Sequence, residues 1–258
     1  MDVQDLSRQT AIHRAAYNRH NHVIQKLIDS GLDIEAKDHH KETALFSAVE
    51  NGQASTVRFL LDSGASVNQT DVTGYTALHK AASTKRHTVI RLLLEHGADI
   101  EARDQHMETL LHVAAERNGY EVPYLLLMNS ANIEGRNKDQ ETALHLAAAQ
   151  DSVTVLTLLL LKRVNVHAED RRGMTPLHVA AANEAKAVEM LLEKSANTGA
   201  RDKRGRTALH GATYKYNHFA MSSLLEHGAD MDAKDERGRL AVPYGREPEG
   251  YKRPKPDD

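Results

Sequence analysis

The sequence contains no cysteine and no tryptophan, and only 4 % of its 258 residues are aromatic. Without cysteine no disulfide forms, which excludes a small disulfide-stapled secreted scaffold, and thiol chemistry and zinc–thiolate sites are excluded with it. The scarcity of aromatics leaves Leu, Ala, Val and Ile as the apolar matter, which suits thin helical layers better than one thick core. Long hydrophobic runs are missing as well. Stretches such as Leu158–Leu161 are far too short to span a bilayer, and the polar start Met1-Asp2-Val3-Gln4-Asp5 lacks the apolar centre of a signal peptide. A soluble intracellular chain with no membrane role is expected.

What is present is globular in kind. Apolar residues make up 40 % of the chain and charged residues 27 %, which separates it from disordered sequences. The formal charge of −3 is unevenly placed. Residues 1–170 hold 17 Lys/Arg against 23 Asp/Glu, whereas residues 171–258 hold 16 against 13. The C-terminal third is therefore the basic part of an acidic protein.

The string Thr-x-Leu-His-x-Ala recurs along the chain, from Thr76, Thr109, Thr142 and Thr175, with weaker copies from Thr10, Thr43 and Thr207. Successive threonines lie 33 residues apart five times and 32 apart once. A second string keeps register with the first: Leu92-Leu-Leu-Glu-His-Gly97-Ala-Asp, with counterparts ending at Gly64 and Gly228. Each period thus holds two helical patterns and a turn, the signature of a stacked-repeat architecture. Threonine is placed to cap the first helix. Leu and the Ala81-Ala82, Ala114-Ala115 and Ala147-Ala148 pairs make its buried stripe. Val89, Ile90, Leu92 and Leu93 make the apolar face of the second helix. Glycine ends that helix in a left-handed conformation, and Asp71-Val-Thr-Gly74 and Asp170-Arg-Arg-Gly173 make tight tips between repeats.

With these residues in place the chain is similar to the ankyrin repeat over roughly residues 4–242. The resemblance implies an all-α helical solenoid with short β-hairpin turns, of seven repeats plus a partial C-terminal one. The repeats fall at about 7–39, 40–72, 73–105, 106–138, 139–171, 172–203 and 204–236, with a partial unit at 237–243 that stops after about a turn. Residues 244–258 are expected to be a flexible Pro- and charge-rich tail, in which Lys252-Arg253-Pro254-Lys255 resembles a nuclear import signal. The resemblance also implies that His13, His79, His112, His145, His178 and His210 bond neighbouring turns together.

Departures from the pattern carry expectations of their own. Ser130, Arg163 and Ser195 replace the helix-ending glycine in the fourth to sixth repeats. The 32-residue interval places a lost residue between the helices of the sixth repeat, near Asn183 to Ala185. Pro123 sits early enough in the second helix of the fourth repeat to be tolerated. Asn68 occupies the position that the family's asparaginyl hydroxylases modify, although Ser66 stands where an acid usually does; a plain turn role is the alternative.

No nucleophile–base set, phosphate-cradling glycine loop or third ligand beside His39-His40 or His20-Asn-His22 stands out. No enzyme activity, cofactor or metal is expected. By the resemblance, partners meet the turn tips and the exposed side of the first helices. Here that means His40, Glu42, Tyr75, Thr84, His106, Glu108 and Arg117, then Arg171, Arg172, Met174, Lys203, Arg204, Arg206, Tyr214, Lys215, Arg237 and Arg239. The later cations suggest one basic stripe for an acidic or phosphorylated protein segment, bound through Arg forks. Overall acidity and the lack of stacking aromatics argue against nucleic acid. The reading is a monomeric cytoplasmic protein-binding scaffold or adaptor that docks its partner on a concave face, with a nuclear location as the alternative compartment. A regulatory or inhibitory subunit, or a pathogen effector, is the alternative role.

Overall fold

The structure is a computed structural model that describes residues 7–117, 119–183, 185–243, 245–246 and 248–250. Glu184, in the predicted deletion, and the predicted tail and import signal, apart from its few described residues, lie outside it. Fourteen helices are present among the described residues, paired in the order the repeat predicts. The pairs are α1 (Ala11–Tyr17) with α2 (Asn21–Asp29), α3 (Ala44–Glu50) with α4 (Ala54–Asp62), α5 (Ala77–Ser83) with α6 (His87–Glu95), and α7 (Leu110–Ala115) with α8 (Glu121–Met128). They continue as α9 (Ala143–Ala149) with α10 (Val153–Leu161), α11 (Pro176–Asn183) with α12 (Ala185–Glu193), and α13 (Ala208–Tyr214) with α14 (His218–Glu226). Two compact units result, one of residues 1–114 and 121–132, the other of residues 115–120 and 133–258.

Within each unit first helices pack on first helices and second helices on second helices: α1–α3–α5 and α4–α6–α8 in one, α9–α11–α13 and α10–α12–α14 in the other. The small side chains of the alanine pairs allow this; Ala81, Ala82, Ala147, Ala148, Ala180 and Ala181 are all buried. Helices this short are not stable alone in water, so stacking of their apolar faces supplies the stability. The second helix of the sixth repeat starts ten residues after its threonine, against twelve in the fourth repeat and eleven in the others, consistent with the predicted deletion. Pro123 lies in the first turn of α8, where no intrahelical N–H is lost.

Threonine caps the first helices from extended backbone, as at Thr76, whose hydroxyl accepts the His79 N–H. The motif histidine then turns back on its cap. In six repeats the threonine N–H donates to the histidine Nδ1 at 3.1–3.3 Å, and the hydroxyl lies 2.8–3.0 Å from the same nitrogen. Because a backbone N–H only donates, Nδ1 must be the unprotonated nitrogen. The proton is on Nε2, which donates across to the next tip: His13 to the Glu42 carbonyl at 2.9 Å, His145 to Met174 at 3.0 Å, His178 to Arg206 at 3.0 Å and His210 to Arg239 at 3.1 Å. The Nε2 of His79 faces the Glu108 carbonyl but falls outside hydrogen-bonding geometry. Burial holds His145 and His178 below the ordinary histidine pKa, in keeping with this neutral form.

Two expectations need amending. The β-hairpins are reduced to isolated bridges, Thr70 with Thr76 and Lys234 with Leu240, and no strand occurs among the described residues. The tips are closed by side chains instead, as described below. The eighth unit forms its tip, but no helical turn follows among the described residues. Leu240 stands at the threonine position and offers no capping hydroxyl, while Val242 precedes a proline and is biased away from helix. The Ala241 and Val242 N–H groups pair with the Ala233 and Met231 carbonyls, at 2.8 and 3.1 Å, and both side chains are buried.

Candidate functional site

Each tip is built on one acid or amide, buried in all but the half-buried Asp71. Asp38, Asp71, Asp104, Asn137, Asp170, Asp202 and Asp235 each accept, through Oδ1, the backbone N–H groups two and four residues on, at 2.7–3.0 Å. The acid's own N–H closes the loop on the carbonyl four residues on, as in Asp202 to Arg206 at 2.9 Å. One backbone bond then zips each tip to its neighbour within a unit, such as Gln105 N–H to Thr73 and Glu236 N–H to Arg204, both at 3.1 Å. The residues two and four positions after the acid are thereby fixed by their own backbones. They are His40 and Glu42, Thr73 and Tyr75, His106 and Glu108, Asp139 and Glu141, Arg172 and Met174, Arg204 and Arg206, and Arg237 and Arg239. Most of the predicted site residues are in this set.

Their availability differs. In the first unit, Lys80 lies 3.1 Å from Glu42 and 3.3 Å from Glu50. Burial opposes its charge, but the two carboxylates prevail and its pKa is raised. Tyr75 stacks on His79 with ring centroids 5.2 Å apart, and the Thr84 hydroxyl donates to the Lys80 carbonyl at 2.8 Å. His40, His106 and Arg117 are exposed, and Glu108 is half-buried. Asn68 accepts the Asp99 N–H at 2.9 Å and donates to the Gly97 carbonyl at 3.3 Å, acting as a turn residue that ties two successive turns.

In the second unit the basic stripe separates into parts. Arg206 donates from Nε and Nη2 to the Asp202 Oδ2, at 2.8 and 2.6 Å. Arg239 does the same to Asp235, at 2.7 and 2.6 Å. Arg172 lies 3.1 Å from the Asp170 Oδ2, and Arg171 donates to the Lys138 carbonyl at 2.8 Å. The Arg239 hydrogen bonds hold Asp235 down at a pKa of about 2, and burial of Asp202 is outweighed by its Arg206 bonds, so its pKa is lowered too. Lys203, Arg204, Lys215 and Arg237 are exposed and make no side-chain hydrogen bond or ion pair with a described residue.

Arg204, Arg206, Tyr214, Lys215, Arg237 and Arg239 do converge, on a cleft of ≈850 Å³. Arg171, Arg172, Met174 and Lys203 are not part of its lining. The cleft adds residues that the motif reading missed: Arg246, whose guanidinium sits 5.1 Å from the Tyr216 ring centre, and the small floor residues Ala182 and Gly211. A usable signal for the last was present in the sequence. The position after the motif histidine carries Arg14, Ser47, Lys80, Val113, Leu146 and Val179 in the other repeats, and only Gly211 lacks a side chain there. Among the described residues, no three His, Cys, Asp or Glu side chains gather as metal ligands would, and no helix is long and apolar enough to cross a membrane.

Stacked helix pairs joined by acid-closed, glycine-bearing tips define a repeat module, and comparison with known proteins gives its family. The family model for ankyrin repeats in three copies matches residues 1–71, 60–137, 103–170 and 144–235. The chain belongs to the ankyrin-repeat family, whose members generally mediate protein–protein interaction and are typically non-enzymatic. The crystal structure of the human ASB11 ankyrin repeat domain is similar at a TM-score of 0.74 and 26 % identity, covering 86 % of this chain and 99 % of that one. The ankyrin repeat domain of Bcl-3, described as a unique member of the IkappaB protein family, is similar at a TM-score of 0.70 and 30 % identity, covering 78 % and 92 %. No curated protein sequence matches the chain.

Proposed function

We propose that this chain is a non-enzymatic scaffold or adaptor that docks a partner protein on its tips and first helices, with an anionic segment of the partner engaging the C-terminal unit. The observation that carries this reading is the cleft at the last two tips. Six cations line it, Arg204, Arg206, Lys215, Arg237, Arg239 and Arg246, against two carboxylates, Asp235 and Glu236, in a chain whose formal charge is −3. Local excess of one sign against the overall balance steers partners of the opposite sign. Arg206 and Arg239 are pinned by buried aspartates, while Arg204, Arg237 and Lys215 stand at the rim to meet carboxylates or phosphates.

The test is affinity capture from cell extract followed by mass spectrometry, comparing the wild type with Arg204→Glu/Arg237→Glu. A partner retained by the wild type, eluted by moderate salt and lost from the variant supports the reading. A partner held equally by both moves the docking face to the first unit's tips around Tyr75 and Glu108.

A further inference from the structure

We infer that the cleft beside α13 is a specificity pocket that takes one aliphatic side chain from an extended acidic segment of a partner protein. The inference rests on the protein-docking reading above and adds the occupant. The position after the motif histidine is filled in the three preceding repeats by Val113, Leu146 and Val179, each at most 8 % exposed. Gly211 brings no side chain to that place, and among the described residues no helix follows α14 to cover it. The result is an opening in the stack, floored by Ala182 and Gly211 and bordered by the aromatic ring of Tyr214, which is 80 % exposed.

The vacancy comes from the missing side chain and not from a backbone constraint. Gly211 is an ordinary helical residue, and a Cβ there would meet its nearest neighbours, the Ala182 Cβ and the His178 carbonyl oxygen, both at 3.8 Å, which is van der Waals contact. The backbone at Gly211 accepts a side chain, as the equivalent position does in the other repeats. The apolar floor therefore accepts a branched aliphatic group presented from outside, and the rim decides what flanks it. Arg204 and Arg237 stand on adjacent tips, and Lys215 lies at the end of α13. Their side chains are exposed and have no partner among the described residues. A segment with one Leu, Ile or Val between Asp or Glu residues matches both features. A nucleic acid strand matches the rim only, since it has no aliphatic side chain for the floor.

The experiment selects a displayed library of short random peptides on the full chain, then measures enriched peptides by fluorescence polarisation on three proteins. Wild type is expected to enrich acidic peptides with a single aliphatic anchor. Gly211→Val fills the floor and is expected to weaken them at least about tenfold, the scale of one buried aliphatic side chain, while its thermal midpoint stays equal or rises. Arg204→Glu/Arg237→Glu is expected to weaken them and remove the salt dependence. Binding lost with the charge reversal but unchanged in Gly211→Val overturns the pocket and leaves the docking reading standing. Enrichment of basic or uncharged peptides, no enrichment, or a labelled single-stranded oligonucleotide that competes for the cleft and is insensitive to Gly211→Val overturns the proposed occupant.

Discussion

Gly205→Ala and Gly228→Ala place the same methyl group on the same kind of backbone in two different surroundings. Both glycines are left-handed, at φ +73 and +80. At Gly228 an added Cβ meets nothing within 4 Å. The substitution there carries only the left-handed penalty of about 1–2 kcal/mol, offset by about 0.5 kcal/mol as the unfolded chain loses freedom. The net loss is about 1 kcal/mol. At Gly205 the Cβ would lie 3.0 Å from the Glu236 nitrogen and 3.5 Å from the Asp235 carbonyl carbon, so the next tip must retreat. Its Glu236 N–H then loses the Arg204 carbonyl, now at 3.1 Å, for a further ~1 kcal/mol. The thermal midpoint, read by circular dichroism, should fall by about 2–4 °C for Gly228→Ala and about twice that for Gly205→Ala. Hydrogen exchange at the Glu236 amide should quicken in Gly205→Ala only. Equal losses in the two variants, or an unchanged Glu236 amide, would refute the tip-to-tip packing.

Arg163 is held at φ +58 in the place of the usual helix-ending glycine; Arg163→Gly should raise stability by about 0.5 kcal/mol once the greater freedom of the unfolded glycine is subtracted, and an unchanged or lower urea midpoint would contradict this. Gly211→Ala should raise stability by roughly 0.5–1 kcal/mol, because a mid-helix glycine is replaced where the Cβ has room; a lower urea midpoint would mean that the neighbouring layer is closer than described. Acid should weaken the stack through its histidines. His145 and His178 stay neutral in the fold at pH values where the unfolded chain protonates near 6.5, so the unfolded state binds more protons and stability falls as pH drops below about 6.5. The urea midpoint should fall between pH 7 and 5, and His178→Ala should flatten that slope while lowering its level. Asp235 acts in a separate window: with its folded pKa depressed to about 2, its contribution is intact above the ordinary carboxylate range near 3.9 and is lost as pH falls through about 2.

The helix pairs were legible because their signals are local and periodic. A threonine cap, an alanine pair and a glycine stop act within a few residues, and repetition removes the ambiguity of any one copy. The left-handed stops at Ser130, Arg163 and Ser195 followed from register alone. The same register reasoning extends to the tips, where Lys41, Met107 and Gln140 hold φ of 60 to 64 in the place of Gly74 and its equivalents. What register does not reveal is an event at the end of the array. The eighth unit begins with a normal tip, and only the loss of the capping hydroxyl together with the Val242–Pro243 bond diverts the backbone into pairing with Ala233 and Met231.

The basic row shows a different limit. Read along the sequence, the cations from Arg171 to Arg239 form one stripe, because charge is counted by residue and not by what each residue already holds. The tip aspartate uses Oδ1 for two backbone N–H groups, which leaves Oδ2 free and pointing along the same loop. An arginine four residues on reaches it, as Arg206 and Arg239 do; where that place is Met174, Arg172 reaches it from two residues on. The pattern Asp-x-Arg-Gly-Arg therefore describes two different arginines: the last is anchored on the buried acid, and the one before the glycine is left at the rim. On the proposed docking reading, the anchored pair gives the cleft fixed donors, the outer pair gives it the charge to attract a partner, and Gly211 leaves the space behind the charge for that partner to enter.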